Sequence, residues 1–252
     1  MTRTQRANKP SAIIYNGPSL LDGKPIVVIA IDSARNRKTG RMVQTYILRS
    51  DIDPRDASKS GEDVSICGTC SHRGTPTDDA NAKQAKARSC YVLLGQGPLI
   101  AYRSLLKNIY PIASGHSAIA GVGKGKLVRL GTYGDPAAVP SYIWESLISE
   151  AVGHTAYSHQ STTRGAAFMA GYMMQSADTL DEAQAAWTAG RRTFRVVRSV
   201  ADIVKSSEIL CPASKEAGRR VTCSQCKLCG GATIAAKSIA IPDHGPMRKR
   251  AA

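Results

Sequence analysis

Seven cysteines lie in two groups, Cys67, Cys70 and Cys90 in the first and Cys211, Cys223, Cys226 and Cys229 in the second. Thiols spaced Cys-x2-Cys-x2-Cys, with Cys211 twelve positions upstream and Gly230-Gly231 behind, suit four-coordinate zinc or, alternatively, an iron–sulfur cluster. The odd count and tight spacing argue against a disulfide framework. Met1 to Pro10 is basic and polar without an apolar stretch, which points to a reducing, cytoplasmic setting. Two ligand partitions stay open. Cys211 joins Cys223, Cys226 and Cys229, or His244 completes that set and Cys211 joins Cys67, Cys70 and Cys90. His72 is a further fourth ligand for the first group.

A second set of residues carries acid, base and hydrogen-bonding groups. Asp135 and Asp178 are candidate catalytic carboxylates and His159 a candidate proton carrier. Gln160 and Gln175 offer amide donor and acceptor pairs that can read a base edge, and Tyr133 offers a stacking ring. Arg195 and Arg198 offer phosphate contacts. Each has a plainer reading: Asp135 before Pro136 as a helix-entry turn, Asp178 beside the Thr179 cap, His159 as a satisfied core histidine. Gly121-Val-Gly-Lys-Gly-Lys126 fails as a phosphate loop, since position 118 is Ala and no Ser or Thr follows Lys124, and reads as a flexible basic linker.

Short apolar runs alternating with helical stretches must position these groups. Residues 25–32 and 43–48 read as strands of a hairpin whose turn, residues 35–40, carries three cations. Residues 51–97 read as a Cys-rich, metal-pinned loop, apart from a helix beginning at Pro98. From Lys126 onward, strands at 127–132, 155–158, 172–175, 193–197 and 208–210 alternate with helices starting near Ser141 and Thr179. The second of these has a capping box with Glu182 and an expected buried stripe of Leu180, Ala183 and Trp187. The expected fold is a single α/β domain, a (β/α)8-like barrel with metal-bound Cys-rich loops, with an open doubly wound sheet as the alternative. In a barrel, Asp135, His159, Asp178, Arg195 and Cys211 all fall at strand ends, where working residues gather.

The net charge of +15 is concentrated at the two ends: residues 1–49 hold nine Lys and Arg against two acids, and residues 191–252 hold thirteen against four. A polyanion such as nucleic acid is the expected partner. No run of eighteen apolar residues is present, so a membrane span is excluded by sequence.

Arg129-Leu-Gly-Thr-Tyr-Gly-Asp-Pro-Ala-Ala-Val-Pro140, Ser65-Ile-Cys-Gly-Thr-Cys-Ser-His-Arg73 and the Cys211 to Gly231 ending together resemble a group of bacteriophage proteins, some described as replication-associated, over most of the chain. More distantly, a barrel with a late cysteine-rich metal site resembles the tRNA-guanine transglycosylase superfamily, whose phage relatives exchange guanine in DNA for a 7-deazaguanine. Of that superfamily's Asp-Ser-Gly-Gly-x-Gln stretch only Asp32-Ser33 is matched, and its Cys-x-Cys-x2-Cys spacing is replaced here by Cys-x2-Cys-x2-Cys. The resemblance implies base exchange on DNA with a modified guanine base as substrate, Asp135 and Asp178 sharing the nucleophilic and proton-transfer roles. The rivals are a non-catalytic, zinc-stabilised nucleic-acid-binding protein for phage replication and an iron–sulfur enzyme.

Overall fold

The computed structural model describes residues 11–33, 36–160 and 171–243. His244, Arg35 and the basic runs at 1–10 and 248–250 lie outside the described residues.

Ten strands form two five-stranded sheets. The first runs β1 (Ala12–Pro18), β2 (Pro25–Ser33), β3 (Met42–Arg49), β4 (Leu127–Tyr133), β5 (Gly153–Thr155). Its first two pairings are antiparallel and its last two parallel. Ile26 to Ala30 of β2 are fully buried, and the β-branched run Ile26–Ile29 suits a central strand covered on both faces. The second sheet is wholly parallel: β6 (Tyr157–Ser158), β7 (Met174–Ala177), β8 (Thr193–Val197), β10 (Ser238–Pro242), β9 (Glu208–Leu210). Only Ala156 separates β5 from β6, so one extended segment is the edge of both sheets.

The fold is therefore mixed α/β with two parallel-rich sheets. The strands expected at 25–32, 43–48, 127–132, 193–197 and 208–210 are present. The one expected at 155–158 is split into β5 and β6, which belong to different sheets, the one expected at 172–175 shifts by two residues, and β1 and β10 join them. No pairing between β1 and β9 closes the array into a barrel among the described residues.

Among the described residues seven short α-helices fill the connections: α1 (Pro54–Ser60), α2 (Val64–Cys67), α3 (Gly97–Leu106), α4 (His116–Gly123), α5 (Ser141–Ile148), α6 (Leu180–Thr188) and α7 (Cys223–Cys226). The expected flexible linker at 121–126 is corrected by α4. Gly123 supplies the reason, because a Cβ there would meet the Leu147 carbonyl oxygen at 2.0 Å, so glycine lets α4 pack directly on α5. The stripe expected on α6 is also corrected: Ala183 and Ala186 are buried while Leu180 is 39% exposed. Trp187 instead ties the helix to the sheet, its indole N–H donating to the Thr193 and Ser238 hydroxyls at 3.0 and 2.8 Å. The capping box between Thr179 and Glu182 forms as expected.

The main core packs α4, α5 and the loop after β4 against the first sheet, around fully buried Trp144, whose indole N–H donates to the Pro136 carbonyl at 2.9 Å. The second core is small. Met174, Cys211, Cys229, Ile239 and Ile241 are its buried members, so two of its five side chains are thiols.

Candidate metal centre at the ends of two parallel strands

β6 and β7 run side by side in parallel, Ser158 opposite Gln175, and each ends on a residue able to bind metal or move a proton. His159 follows β6 directly, and Asp178 follows β7. Carboxyl ends of parallel strands are where α/β proteins assemble sites, because loops leaving there converge without interrupting the sheet. A third ligand comes from far away in sequence: His72, in a 3-10 turn over Ser71–Arg73. The ligand atoms of His72, His159 and Asp178 all lie within 4.8 Å of one another.

Asp178 Oδ1 sits 3.1 Å from His159 Nε2 and 3.3 Å from His72 Nε2, and Oδ2 accepts from the Ser71 hydroxyl. Burial would raise the Asp178 pKa, but the two imidazoles and the Ser71 hydroxyl hold it well below the usual carboxylate range. Burial likewise works against the His159 imidazolium, yet Asp178 and the neighbouring Cys70 thiol bring its pKa up to about 10. His72 Nε2 is buried, and its neighbour is Asp178 Oδ1 at 3.3 Å, an ion-pair contact that lacks the alignment of a directed hydrogen bond. Coordination to a metal is one way to satisfy such a nitrogen.

Each ligand is oriented from behind. His72 Nδ1 lies 2.8 Å from the Ser89 hydroxyl, and the His72 carbonyl accepts from the Cys90 amide at 3.0 Å. The backbone N–H of His159 donates to Asp135 Oδ2 at 2.8 Å. The backbone N–H of Asp178 donates to Glu182 at 2.7 Å, so the capping carboxylate of α6 also fixes the metal-site loop. Such supports are what metal ligands require to hold one geometry.

Asp135 and Asp178 thus do not face one another as a pair. Asp135 is 7% exposed, and its side chain also accepts from the Ala137 amide at 2.9 Å and the Ser158 hydroxyl at 2.7 Å. Its pKa is pushed up by burial, against those hydrogen bonds. Its place is behind His159, binding β4's end to β6's end. Gln160 is buried and reaches the Cys67 carbonyl at 3.3 Å and the Thr69 hydroxyl at 3.2 Å. Tyr133 is 3% exposed within the main core, its ring turned inward. Gln175 lies on β7 with its Oε1 buried and unpartnered among the described residues. Arg195 is locked to buried Glu208 by two hydrogen bonds of 2.8 and 2.6 Å, whereas Arg198 is exposed just beyond β8.

All seven cysteines are free thiols. Cys67, Cys70 and Cys90 influence one another electrostatically and border the His–Asp cluster through the Cys70–His159 contact. Burial pushes Cys67 and Cys90 up. Arg73 organises their turn, donating to the Gly61 and Gly68 carbonyls and to Asp63. Cys211, Cys223, Cys226 and Cys229 line a separate pocket, but no three of their sulfurs lie within 4.8 Å of one another among the described residues.

Ser71, Ser89 and Cys70 as neighbours of the His–Asp cluster were not marked by spacing. The signal available was Cys70-Ser71-His72, which places a thiol, a hydroxyl and an imidazole in one short turn. No helix among the described residues is long and apolar enough to cross a membrane. No family model, no curated protein and no solved structure matches this chain.

Proposed function

We propose that the protein is a nucleic-acid-modifying enzyme whose reaction centre is a zinc ion held by His72, His159 and Asp178. The observation that carries this reading is the convergence of two imidazoles and an ionised carboxylate from three distant segments at the ends of β6 and β7, their ligand atoms all within 4.8 Å of one another. Two histidines and a carboxylate leave coordination positions open, the arrangement of catalytic rather than purely structural zinc. Zinc so bound would supply an activated water and polarise a substrate oxygen. Ser71 and Ser89 orient the ligands, Asp135 holds the His159 backbone, and Cys70 abuts His159. The net charge of +15 supports a polyanionic substrate.

A second reading keeps the site metal-free: base exchange at a guanine in DNA, with a 7-deazaguanine as incoming base. What favours it is that Asp178 is held ionised against a protonated His159, a carboxylate able to stabilise an anomeric cation beside a group able to deliver a proton. In that case Asp178 acts without Asp135, whose oxygens are already occupied.

The test is to incubate DNA and tRNA with the full-length protein, digest to nucleosides and analyse by mass spectrometry, with and without a chelator and with labelled guanine. A modified nucleoside that needs both Asp178 and metal supports the first reading. Label exchange that needs Asp178 and survives chelation supports the second. Salt-sensitive binding with no product under any condition overturns both and leaves a binding protein.

A further inference from the structure

Two basic segments far apart in sequence are docked against one another. Residues 36–41, in the β2–β3 turn, and residues 215–227, which lead into α7 and leave it, together hold seven Lys and Arg and one acid, Glu216. All seven cations are exposed. The segments are joined through the main chain: the Cys223 and Ser224 amides donate to the Lys38 and Thr39 carbonyls at 3.3 and 2.8 Å. Gly40, at a φ of +73°, allows the approach, since a Cβ there would run into the Ser224 and Thr222 hydroxyls. Two carboxylates touch this surface. Glu216 lies near Lys38, and buried Asp32 sits 3.7 Å from the Arg41 guanidinium, whose side chain is 76% exposed. Cations remain in clear excess.

An aromatic side chain connects this surface to the His–Asp centre. Tyr91 is 53% exposed, yet its hydroxyl is fixed, accepting from Arg129 Nη2 at 2.6 Å, and it lies near Cys223 of α7. Arg129 is itself held in place, buried, with its guanidinium 5.5 Å from the centre of the Tyr157 ring. A half-exposed ring anchored by its hydroxyl is a rigid platform for stacking. The residues just before Tyr91 support His72: the Cys90 amide donates to the His72 carbonyl at 3.0 Å, and the Ser89 hydroxyl lies 2.8 Å from His72 Nδ1. The side chains of His72, His159 and Asp178 are 27%, 25% and 25% exposed, so the centre is recessed. A duplex keeps its bases inside its own stack and cannot bring one into such a site, whereas an unpaired base can swing out and enter.

We propose, resting on the reading that the protein modifies nucleic acid, that its substrate is a single strand lying across residues 36–41 and 215–227, with an unpaired base stacked on Tyr91 beside the His–Asp centre. Arg37, Arg41, Arg219 and Arg220 contact the phosphates, which position the strand without reading its sequence. The docking of the two segments matters because each basic run alone is short, and together they give one electrostatic track. The ring of Tyr91 supplies what charge does not, a preference for bases that are free of a partner strand.

The test measures fluorescence anisotropy of a fluorescein-labelled single strand of about 15 nucleotides, and of the same strand annealed into a duplex, on the full-length protein across a salt series. The single strand is expected to bind about 10-fold tighter than the duplex. R37Q/R41Q and R219Q/R220Q are each expected to weaken binding about 10-fold at low salt and to lower the salt slope by about 1–2. Y91A is expected to weaken binding about 10–100-fold with the slope unchanged, and Y91F to bind as wild type. Wild-type affinity and slope in either arginine pair overturns the surface. Duplex binding as tight as the single strand, or wild-type binding by Y91A, overturns the stacked single strand, and the arginine arms stand even if Y91A does not fold. Failure of the underlying reading shows differently: no modified nucleoside forms, while the arginine and tyrosine variants still lose binding.

Discussion

His159 is gripped at both ends by carboxylates: its backbone N–H donates to Asp135 at 2.8 Å and its ring Nε2 lies 3.1 Å from Asp178. The two acids hold one histidine by different atoms, and on the proposed reading Asp135 positions the backbone while Asp178 belongs to the centre.

That division predicts different phenotypes for the same chemical change. Asp135→Asn turns one of three accepted hydrogen bonds into a clash of donors in a buried site, and should cost about 1–3 kcal/mol of stability. Asp178→Asn removes the ion pairs to His159 and His72 and so also costs stability at neutral pH, but it alone should abolish product formation. Calorimetry and nucleoside analysis of both variants check this, and product formation kept in Asp178→Asn would contradict it.

Removing the metal should separate the centre from the fold. Histidine variants H72A and H159A are expected to lower zinc per chain by about one while leaving the far-ultraviolet circular dichroism intact, because both residues sit in loops outside the sheets. H72A carries the sharper test, since metal content equal to wild type would reduce His72 to an ion-pair partner of Asp178 and remove it from the centre.

The α6 cap should matter to the site as well as to the helix. Glu182 accepts from the Asp178 and Thr179 amides at 2.7 and 3.2 Å. Glu182→Ala should therefore cost about 1 kcal/mol of stability and also weaken metal binding, while Thr179→Ala should cost a similar amount with less effect on metal. Metal titration of the two variants distinguishes them.

Arg195 is expected to serve stability. Glu208→Gln strands its guanidinium in a pair whose carboxylate is fully buried, at a cost of about 3–5 kcal/mol in denaturant unfolding. Arg198→Gln, on the exposed end of the same strand, should leave stability alone and reduce nucleic-acid affinity at low salt.

What sequence alone determined was local. The buried β-branched run Ile26–Ile29, the paired hairpin strands, the capping box of α6 and the tight Cys223–Cys226–Cys229 spacing are set by neighbours within a few residues, so periodicity and turn chemistry display them. His159 and Asp178 were visible because each follows a short apolar strand. Tertiary structure decided which of these groups meet. That His72, 87 positions before His159 in the numbering, comes within reach of Asp178 while Asp135 turns inward depends on the pairing of β6 with β7 and on where the turn carrying His72 lies, distances in space that chain spacing does not contain.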